Sequence, residues 1–505
     1  MLKKIFRVLF NRISIVAVLL LVQIGFFVML MLRGARFSQY ISWGLLIISA
    51  GVVLHIVNDN GTPEYKLAWC IPILTFPVFG GLLYLIIRYQ SRKEVIKTSK
   101  SGKPPLPGLS QDKGTMEKFF AEKPSAARQA GYAISYAGYP AYDKSTVKYL
   151  PIGEEYFKEL TSELEKAEKF IFIEYFIIAS GHMWSAVLEI LERKAADGVD
   201  VRVMYDSMGS LFLIPDNYYK DLEKKGIKCI EFNRFRPVMS AIQNNRDHRK
   251  ICVIDGKVAF TGGINIGDEY INAVSLHGHW KDNGVMVEGD AVKSFTHMFL
   301  ELWNVYAKAD NRDYLDITYP KENDGYIMPY ADVPGDNERV CESVYLNIIS
   351  RANNYLYITT PYFIVGEEFI TALELSAKAG VDVRLITPHI WDKKFVHVAT
   401  RSYYKRLIKA GVRVFEYTPG FIHAKTVLCD GEIATVGTAN LDYRSMYLQF
   451  ECGLWMCGSK CISDIKDDIL ATMEKSHEIT MEECNNVPLH TRFFQALLRP
   501  FTPLF

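Results

Sequence analysis

The chain has 505 residues, enough for two domains of ordinary size and a further hydrophobic segment. Its 58 lysines and arginines nearly balance 57 aspartates and glutamates, which argues against a general nucleic-acid-binding protein, because such proteins usually carry a basic surplus. Nine scattered cysteines without a C-x-x-C pair exclude a disulfide scaffold, argue against a structural zinc site and predict reduced thiols in a cytoplasmic domain.

The first 90 residues contain three apolar runs, at 13–32, 41–57 and 67–87. A bilayer core about 30 Å thick needs roughly 20 helical residues, so the first and third runs are long enough and the second is marginal. Buried core helices are the alternative, but runs this apolar and this closely spaced are hard to bury in a water-soluble core. We therefore expect residues 1–95 to form a membrane anchor with two to three hydrophobic helices.

Basic residues flank this segment on both sides, at 3–12 and at 88–103. Both flanks favour the cytoplasm under the positive-inside rule, yet three full spans would separate them. One run therefore lies in the interface or one flank departs from the rule, and whether the first run spans stays open. The polar loop 58–66 favours a hairpin of the second and third runs with its tip outside. The larger basic cluster, at 88–103, then predicts a multi-pass protein of the cell membrane, with the remaining domains on the cytoplasmic side.

Beyond the anchor, three short patterns occur twice in the same order. Tyr175-Phe-Ile recurs from Tyr362, Gly198-Val-Asp-Val-Arg recurs from Gly380, and a His-x-Lys pair also recurs. An ordered repetition of this kind indicates two fused copies of one unit. We expect a Lys-, Ser-, Gly- and Pro-rich linker at 96–130, a first lobe at 131–325 and a second lobe at 326–505.

Each copy shows a strand, a helix closed by glycine, and a second strand. This alternation predicts an α/β class with a largely parallel sheet and helices on both faces. The expected architecture is two α/β/α sandwich lobes related by a pseudo-twofold axis and preceded by the transmembrane helices. The segments concerned are 169–178, 184–196 and 199–205 in the first copy and 354–364, 367–379 and 381–386 in the second.

The repeated His-x-Lys pairs belong to two longer H-x-K-x4-D motifs, each followed by a glycine-containing turn and an asparagine. Strand alternation places the histidine and lysine of each motif on one face. One isolated pair would fit an ordinary surface strand, whereas two complete copies in register indicate one composite site. The residues are His248, Lys250, Asp255, Gly263 and Asn265 in the first copy and His423, Lys425, Asp430, Thr438 and Asn440 in the second.

These side chains suit a phosphodiester substrate. Two lysines, backbone N–H groups of the turns and the donors of Asn265, Asn440 and Thr438 can hold non-bridging oxygens as charge develops. One histidine can attack phosphorus while the other protonates the leaving alcohol, which requires that their pKa values differ.

Four carboxylates accompany the two motifs. Asp282 and Glu451 follow His248 and His423, respectively, at a distance that suits a neighbouring strand, and we expect each to orient its own histidine. Asp255 and Asp430 precede glycines at tight turns, so a structural role is open to both as well as a catalytic one.

The segments 245–270 and 420–445 resemble the phospholipase D superfamily, whose mark is H-x-K-x4-D-x6-G-[ST/G]-x-N, and within it the bacterial cardiolipin synthases. Residues 66–69 and 76–80 resemble the membrane segment of those synthases. The resemblance implies transfer of a phosphatidyl group between two phosphatidylglycerols through a phosphatidyl-histidine, giving cardiolipin and glycerol. It further implies that His248 attacks, that His423 acts as acid and base, and that no metal or other cofactor takes part.

The same resemblance leaves other activities open. A phospholipase D-type hydrolase would use water as the acceptor, and a related phosphatidyltransferase would accept another donor lipid. A membrane-tethered nuclease shares the motif pair, but the near-neutral charge and the anchor argue against nucleic acid as a partner. We therefore expect phosphatidylglycerol and cardiolipin in the membrane as the molecules bound.

Overall fold

The structure is a computed structural model, and it describes residues 35–59, 61–76, 80–85, 106, 108–235, 241–307, 311–335 and 338–504, with the single positions 21, 24 and 25. The chain divides into two compact units. One comprises Met1–Gly102, Phe235–Asn245 and Phe493–Phe505, and the other comprises Lys103–Arg234 and Arg246–Arg492.

In the first unit, the helices Ala35–Val57 and Pro63–Thr75 pack against each other. Ile56, Trp69 and Ile73 are buried at their contact. Pro63 occupies the first turn of its helix, where its fixed φ suits the helix. Proline has no backbone N–H, and at this position an N–H would have no acceptor within the helix. The second and third apolar runs thus lie partly on two neighbouring helices.

The expected membrane spans lie partly within the described residues. The run 13–32 lies outside the described residues except at three positions. Within the run 67–87, the helix ends at Thr75, because Phe76 precedes a proline and adopts φ −128° and ψ 75°. Across the parts of the chain that the structure describes, no helix combines the length and apolar character needed to cross a bilayer.

The second unit contains two large sheets. The first has the order β1-β8-β6-β5-β2-β3-β4. Its strands, together with the separate strand β7, are β1 Ser145–Leu150, β2 Phe170–Tyr175, β3 Asp200–Asp206, β4 Lys228–Phe232, β5 Lys250–Ile254, β6 Val258–Gly262, β7 His279–Lys281 and β8 Gly284–Gly289.

The second sheet has the order β9-β18-β16-β15-β10-β12-β13-β19. Its first seven strands correspond one by one to the strands of the first sheet, and β19 is added at the edge. This equivalence confirms the predicted duplication. The strands of this half, with the short β11, β14 and β17, are β9 Tyr326–Asp332, β10 Tyr355–Thr359, β11 Phe363–Ile364, β12 Asp382–Pro388, β13 Arg413–Tyr417, β14 Gly420–Ile422, β15 Thr426–Cys429, β16 Ile433–Gly437, β17 Leu441–Asp442, β18 Glu451–Cys457 and β19 Ser476–Glu478.

The sheets are mixed, so the expectation of largely parallel sheets was wrong. Only β2-β3-β4 and the equivalent β10-β12-β13 are parallel, and the strands on the motif side are antiparallel. The reason is the tight turn after each motif aspartate, where Asp255 and Asp430 have a φ of 54° and the chain reverses into a hairpin.

Helices cover the sheets. The helix Val292–Tyr306 is buried along most of its length and contacts strands of the first sheet and β9 of the second. The other helices of this unit, the last of which extends beyond it, are Lys113–Glu122, Pro124–Tyr132, Gly153–Leu164, His182–Ala196, Tyr218–Lys224, Val340–Arg351, Glu367–Lys378, Lys394–Ala410, Tyr443–Tyr447, Cys461–Glu474, Met481–Asn485 and Leu489–Leu498.

One of these helices, Lys113–Glu122, falls within the predicted linker 96–130, and a second, Pro124–Tyr132, begins there. The Asp112 side chain caps the first by accepting the Thr115 N–H at 2.7 Å. Phe119 is fully buried and stacks on Tyr326 at 3.8 Å between ring centroids. Residues from 113 onward are therefore folded onto the core, because their apolar side chains are buried there.

One hydrophobic core extends through both halves of the second unit. It contains Phe172 and Val253 of the first sheet together with Leu356 and Leu454 of the second. All nine cysteines of the chain are free thiols. The two lobes are consequently packed as one body, and the ends of β5 and β15 that bear the motif histidines lie where the lobes meet.

Candidate active site

The histidines are positioned by backbone pairing between the lobes. His248 donates its N–H to the Phe450 carbonyl at 3.0 Å, just before β5. His423 donates its N–H to the Lys281 carbonyl at 2.7 Å, where β14 pairs in parallel with β7. Each motif thus begins against the chain segment that carries the other lobe's carboxylate.

The carboxylates are therefore crossed between the lobes. His248 Nδ1 lies 2.9 Å and 3.1 Å from the two carboxylate oxygens of Glu451. His423 Nδ1 lies 2.6 Å from Oδ2 of Asp282. The expectation that each carboxylate orients the histidine of its own lobe was wrong, because the cross-lobe backbone pairing brings the opposite one into reach. Since both Nδ1 atoms are engaged, Nε2 of each ring is left for a substrate.

Gly263 and Thr438 occupy equivalent positions in the two lobes, and each lies beside one of these carboxylates. A Cβ on Gly263 would lie 2.1 Å from Oδ1 of Asp282, so glycine is what leaves room for that carboxylate. The Thr438 hydroxyl donates to Oε2 of Glu451 and accepts the Cys452 N–H at 2.9 Å. The Thr438 hydroxyl was predicted to bind phosphate, but the structure places it on Glu451.

The two motif asparagines are placed differently. Asn265 accepts the Ile177 N–H at 3.1 Å and donates to the Tyr270 hydroxyl at 2.7 Å, so its side chain braces the first lobe. Asn440 is buried, and its Oδ1 has no hydrogen-bond partner among the described residues. One of the two hydrogens on Asn265 Nδ2 is thus donated to Tyr270, and the role of both asparagines as phosphate donors stays a prediction.

Lys250 and Lys425 are both fully buried. Lys250 Nζ donates to the His248 carbonyl at 2.7 Å, and Lys425 Nζ donates to the His423 carbonyl. Burial lowers the pKa of Lys250 to about 8 and that of Lys425 to about 7, although the nearby carboxylates oppose the shift. Two cations held together away from water favour binding of an anion.

Burial also favours the neutral form of both imidazoles. It lowers the pKa of His248 well below its usual value, and the charges of Lys250 and Lys425 act in the same direction. It lowers the pKa of His423 to about 4, with Lys425 lowering it further and Asp282 opposing the shift. The ionised carboxylate of Asp282 thus supports a proton on His423.

The two carboxylates differ in their ionisation. Burial raises the pKa of Glu451 to about 7, despite the opposing effects of Lys250 and the Thr438 hydroxyl. Burial also acts to raise the pKa of Asp282, but the charges of His423 and Lys425 outweigh it and hold that pKa below its usual value. Of the two histidines, His423 therefore has the partner that is firmly ionised at neutral pH.

The motif aspartates lie at the far ends of β5 and β15, roughly 20 Å along the chain from the histidines at about 3.3 Å per residue. Each accepts three backbone N–H groups of the strand that opens the neighbouring βα unit. These hydrogen bonds favour a structural role for Asp255 and Asp430 over the catalytic role that was the alternative. The donors are Glu168, Lys169 and Phe170, at 2.7 to 2.9 Å, for Asp255 and Asn353, Asn354 and Tyr355, each at 2.8 Å, for Asp430.

Aromatic rings close the site around each histidine. The Phe176 ring lies 5.0 Å from His248 between centroids. Tyr270, Trp280 and Phe421 surround His423 at 5.5 to 5.9 Å. Sequence reasoning missed these residues, because strand patterns mark them only as apolar.

A buried ionic cluster lies beside the first motif alone. Arg249 Nε is 2.6 Å from Oε1 of Glu174, and Arg246 is 3.5 Å from Asp206. At the equivalent positions the second motif has apolar side chains, with Phe421 in place of Arg246. A comparison of the two motifs residue by residue would have revealed this difference in sequence. Within the residues that the structure describes, no group of three or more His, Cys, Asp or Glu could hold a metal ion.

Comparison with known families gives two matches. The family described as cardiolipin synthase, PLD-like domain, matches residues 160–303 and 345–473, one segment in each lobe. The family described as phospholipase D-nuclease N-terminal matches residues 41–88.

Whole-chain relatives extend these matches. The chain is 42% identical over 464 residues to an uncharacterized protein of Streptococcus mutans serotype c, covering 90% of this chain and 99% of that one. It is 31% identical over 510 residues to a cardiolipin synthase of Halalkalibacterium halodurans, covering 98% and 99%. Its fold is similar to that of the phosphatidylserine synthase of Haemophilus influenzae Rd KW20, with a TM-score of 0.57, 14% identity and coverage of 75% and 97%.

Proposed function

Because the chain belongs to the phospholipase D-like cardiolipin synthase family, we propose that it transfers a phosphatidyl group from one phosphatidylglycerol to another, giving cardiolipin and glycerol. One observation carries the proposal: two buried histidines, each with a carboxylate on Nδ1, stand beside two buried lysines. This set supplies a nucleophile, an acid and positive charge for a phosphodiester without further groups.

In the first step, His248 Nε2 attacks the phosphorus of the donor lipid. The bond between phosphorus and the glycerol oxygen breaks, and the proton on His423 Nε2 passes to that oxygen. The low pKa of His248 keeps it neutral for attack. The ionised Asp282, together with the bound phosphodiester anion, favours the protonated form of His423. The products are phosphatidyl-His248 and free glycerol.

Lys250 and Lys425 stabilise the non-bridging oxygens as the transition state forms. Both ammonium groups are already fixed by the backbone carbonyls of the two histidines, so little reorganisation is needed during the reaction.

In the second step, the terminal hydroxyl of another phosphatidylglycerol attacks the phosphorus held on His248. The neutral His423 accepts the hydroxyl proton, and the bond between phosphorus and His248 breaks. Cardiolipin leaves, and both histidines return to their starting protonation states. Near-symmetry of the two halves makes the opposite assignment of the histidines the alternative to be tested.

The proposal includes a membrane location. We assign residues 1–95 to a multi-pass anchor in the cell membrane, and 131–325 and 326–505 to two lobes on the cytoplasmic side. Residues 96–130 connect the anchor to the lobes, with the part from 113 onward folded onto the core. Support comes from the apolar runs, the basic cluster at 88–103 and the family match over 41–88.

Product analysis tests the function. Purified full-length protein incubated with phosphatidylglycerol alone should form cardiolipin and glycerol in equal amounts, and the His248→Asn and His423→Asn variants should form neither. Phosphatidic acid as the main product would establish a hydrolase, and cardiolipin formed only when phosphatidylethanolamine is added would establish another transferase. Degradation of added DNA would point to a nuclease.

A further inference from the structure

Three loops at the site end of the sheets carry exposed apolar side chains. They are 207–217 after β3, 267–278 before β7, and 389–395 after β12, the last of which includes the first two residues of the helix Lys394–Ala410. We call their exposed apolar residues the apolar rim. Its members are Phe212 (93% exposed), Leu213 (41%), Val274 (46%), Leu276 (61%), Trp391 (45%) and Phe395 (59%).

The first two loops are joined through residues 180–182, and the second lies next to the third. Leu213 accepts the Ser180 N–H at 2.9 Å, and the Asp268 carboxylate accepts the His182 N–H, also at 2.9 Å. A Cβ on Gly278 would lie 3.4 Å from Cδ1 of Ile390 in the third loop. The apolar rim therefore lies on one continuous border.

This border surrounds the histidines. Gly209 lies against Phe176, whose ring contacts His248 at 5.0 Å. Tyr270 in the second loop is 5.7 Å from His423 between ring centroids. A substrate with long acyl chains would reach the histidines past these loops.

The backbone conformation of the loop 207–217 keeps the Phe212 side chain exposed. Its φ of 66° is in the left-handed region, which bulky residues rarely adopt. The loop holds this conformation through the bond from the Leu213 N–H to the Ser210 carbonyl at 3.0 Å. A strained backbone that presents an aromatic ring to solvent indicates a binding role.

Charge on the third loop matches an anionic lipid surface. Lys393 and Lys394 are exposed between Trp391 and Phe395. Lys393 Nζ lies 5.0 Å from the ring centroid of Tyr362, beside the site. Aromatic side chains with adjacent lysines are the combination that binds the headgroup region of a bilayer.

We propose that the apolar rim inserts into the interface of an anionic phospholipid bilayer, with Lys393 and Lys394 at the level of the headgroup phosphates. The lipid substrate then passes from the membrane to the histidines without entering bulk water. This inference rests on the proposed function, because it is a phospholipid substrate that makes a bilayer the expected occupant of this border.

A spectroscopic measurement tests the contact. Full-length protein is reconstituted into phosphatidylglycerol vesicles with or without brominated acyl chains, which quench nearby tryptophans. We expect the quenched fraction of the emission to be larger for the unmutated protein than for Trp391→Phe. Equal quenched fractions would overturn the proposal.

An activity measurement tests the consequence. The variant Phe212→Ser/Leu276→Ser/Phe395→Ser should lose at least ten-fold in cardiolipin formation from bilayer phosphatidylglycerol. It should stay within two-fold on short-chain phosphatidylglycerol dissolved below its micelle threshold. The matched control Phe120→Ser/Tyr136→Ser/Leu375→Ser removes side chains of comparable exposure away from the border and should behave like the unmutated protein.

Equal losses on both substrates, or no loss on bilayers, would contradict the membrane role of the apolar rim. If the unmutated protein makes no cardiolipin from either substrate, the proposed function fails. The quenching of Trp391 then still decides whether the rim contacts lipid.

Discussion

His248 Nδ1 lies 2.9 Å from Oε1 of Glu451, a residue 203 positions later in the chain and in the opposite lobe. The reciprocal contact joins His423 to Asp282, 141 positions earlier, at 2.6 Å. Neither lobe alone therefore contains a complete histidine–carboxylate pair. The crossing makes the duplicated chain one site rather than two, and it ties the geometry of each ring to the packing of both lobes.

The crossed pairs predict different effects of removing each carboxylate. With phosphatidyl-p-nitrophenol as donor, the leaving group departs without a proton, so the burst of nitrophenolate reports attack by His248 alone. Glu451→Gln should slow the burst by about 10²–10³-fold, because the amide NH2 can donate to Nδ1 and hold the unproductive tautomer of the ring. Asp282→Asn should leave the burst within a few-fold and slow turnover of phosphatidylglycerol, which needs His423 as acid.

The exposed Asp197→Asn variant is the control for these two substitutions. A burst that survives Glu451→Gln but is lost in Asp282→Asn would contradict the assigned roles.

The lack of space around Gly263 predicts that a larger residue at this position reduces activity. Gly263→Ala should lower kcat at least ten-fold, because the new methyl would displace the Asp282 carboxylate, whose Oδ1 lies 2.1 Å from the Cβ position. The matched control is Gly131→Ala in the helix Pro124–Tyr132, where a Cβ meets nothing within 4 Å. That variant should keep full activity and gain roughly 0.5–1 kcal/mol of stability. Equal activity of the two variants would show that the glycine has no role beside Asp282.

Asp255 should matter for stability rather than for catalysis. Asp255→Ala removes the acceptor of three backbone N–H groups, of which that of Phe170 is buried, and should lower the free energy of unfolding by about 1–3 kcal/mol. Activity per folded molecule should stay within three-fold. Denaturant unfolding in detergent, combined with activity measured on the folded fraction, separates the two effects, and a hundred-fold loss of kcat with unchanged stability would restore the catalytic assignment.

The equivalent Asp430 adds a pH dependence. Burial acts to raise its pKa, but the backbone N–H groups of residues 353–355 outweigh burial and lower it. A carboxyl with a lowered pKa contributes stability above its unfolded value, near 3.8, and loses that contribution as the pH falls through its folded value. The stability difference between the unmutated protein and Asp430→Ala should therefore be full at neutral pH and shrink below pH 3.8. A difference that grows on acidification would contradict this account.

The two buried lysines predict how activity changes with pH on the alkaline side. The pKa of Lys425 is lowered to about 7 and that of Lys250 to about 8, so the free site loses positive charge as pH rises through this range. We expect kcat/KM to fall above pH 7 to 8. A bound phosphodiester raises both lysine pKa values, so kcat should fall only at higher pH. A kcat/KM that is constant from pH 7 to pH 9 would contradict a role of these cations in binding.

Much of the fold was predictable because duplication and strand alternation leave local patterns. The repeated motifs singled out His248, Lys250, His423 and Lys425, and in the structure the charges of both lysines act on His248. The antiparallel half of each sheet was missed, although the turn residues that cause it were recognised at Asp255.

The crossed pairing could not be predicted from spacing. Distance along the chain places Asp282 and Glu451 on a strand near a motif, but it does not say which motif. That choice depends on β14 pairing with β7 and on Phe450 bonding to Arg246, which are contacts between distant segments. The role of Thr438 follows from the same geometry, since its hydroxyl faces Glu451 once the lobes are packed.

The most direct test of the central claim is to trap and map the covalent intermediate. Full-length protein is mixed with phosphatidylglycerol carrying a labelled phosphate, quenched within the first turnover and digested for mass spectrometry. We expect a labelled phosphatidyl group on His248 that unlabelled phosphatidylglycerol chases into cardiolipin. A label on His423, or the absence of any covalent adduct during productive turnover, would contradict it.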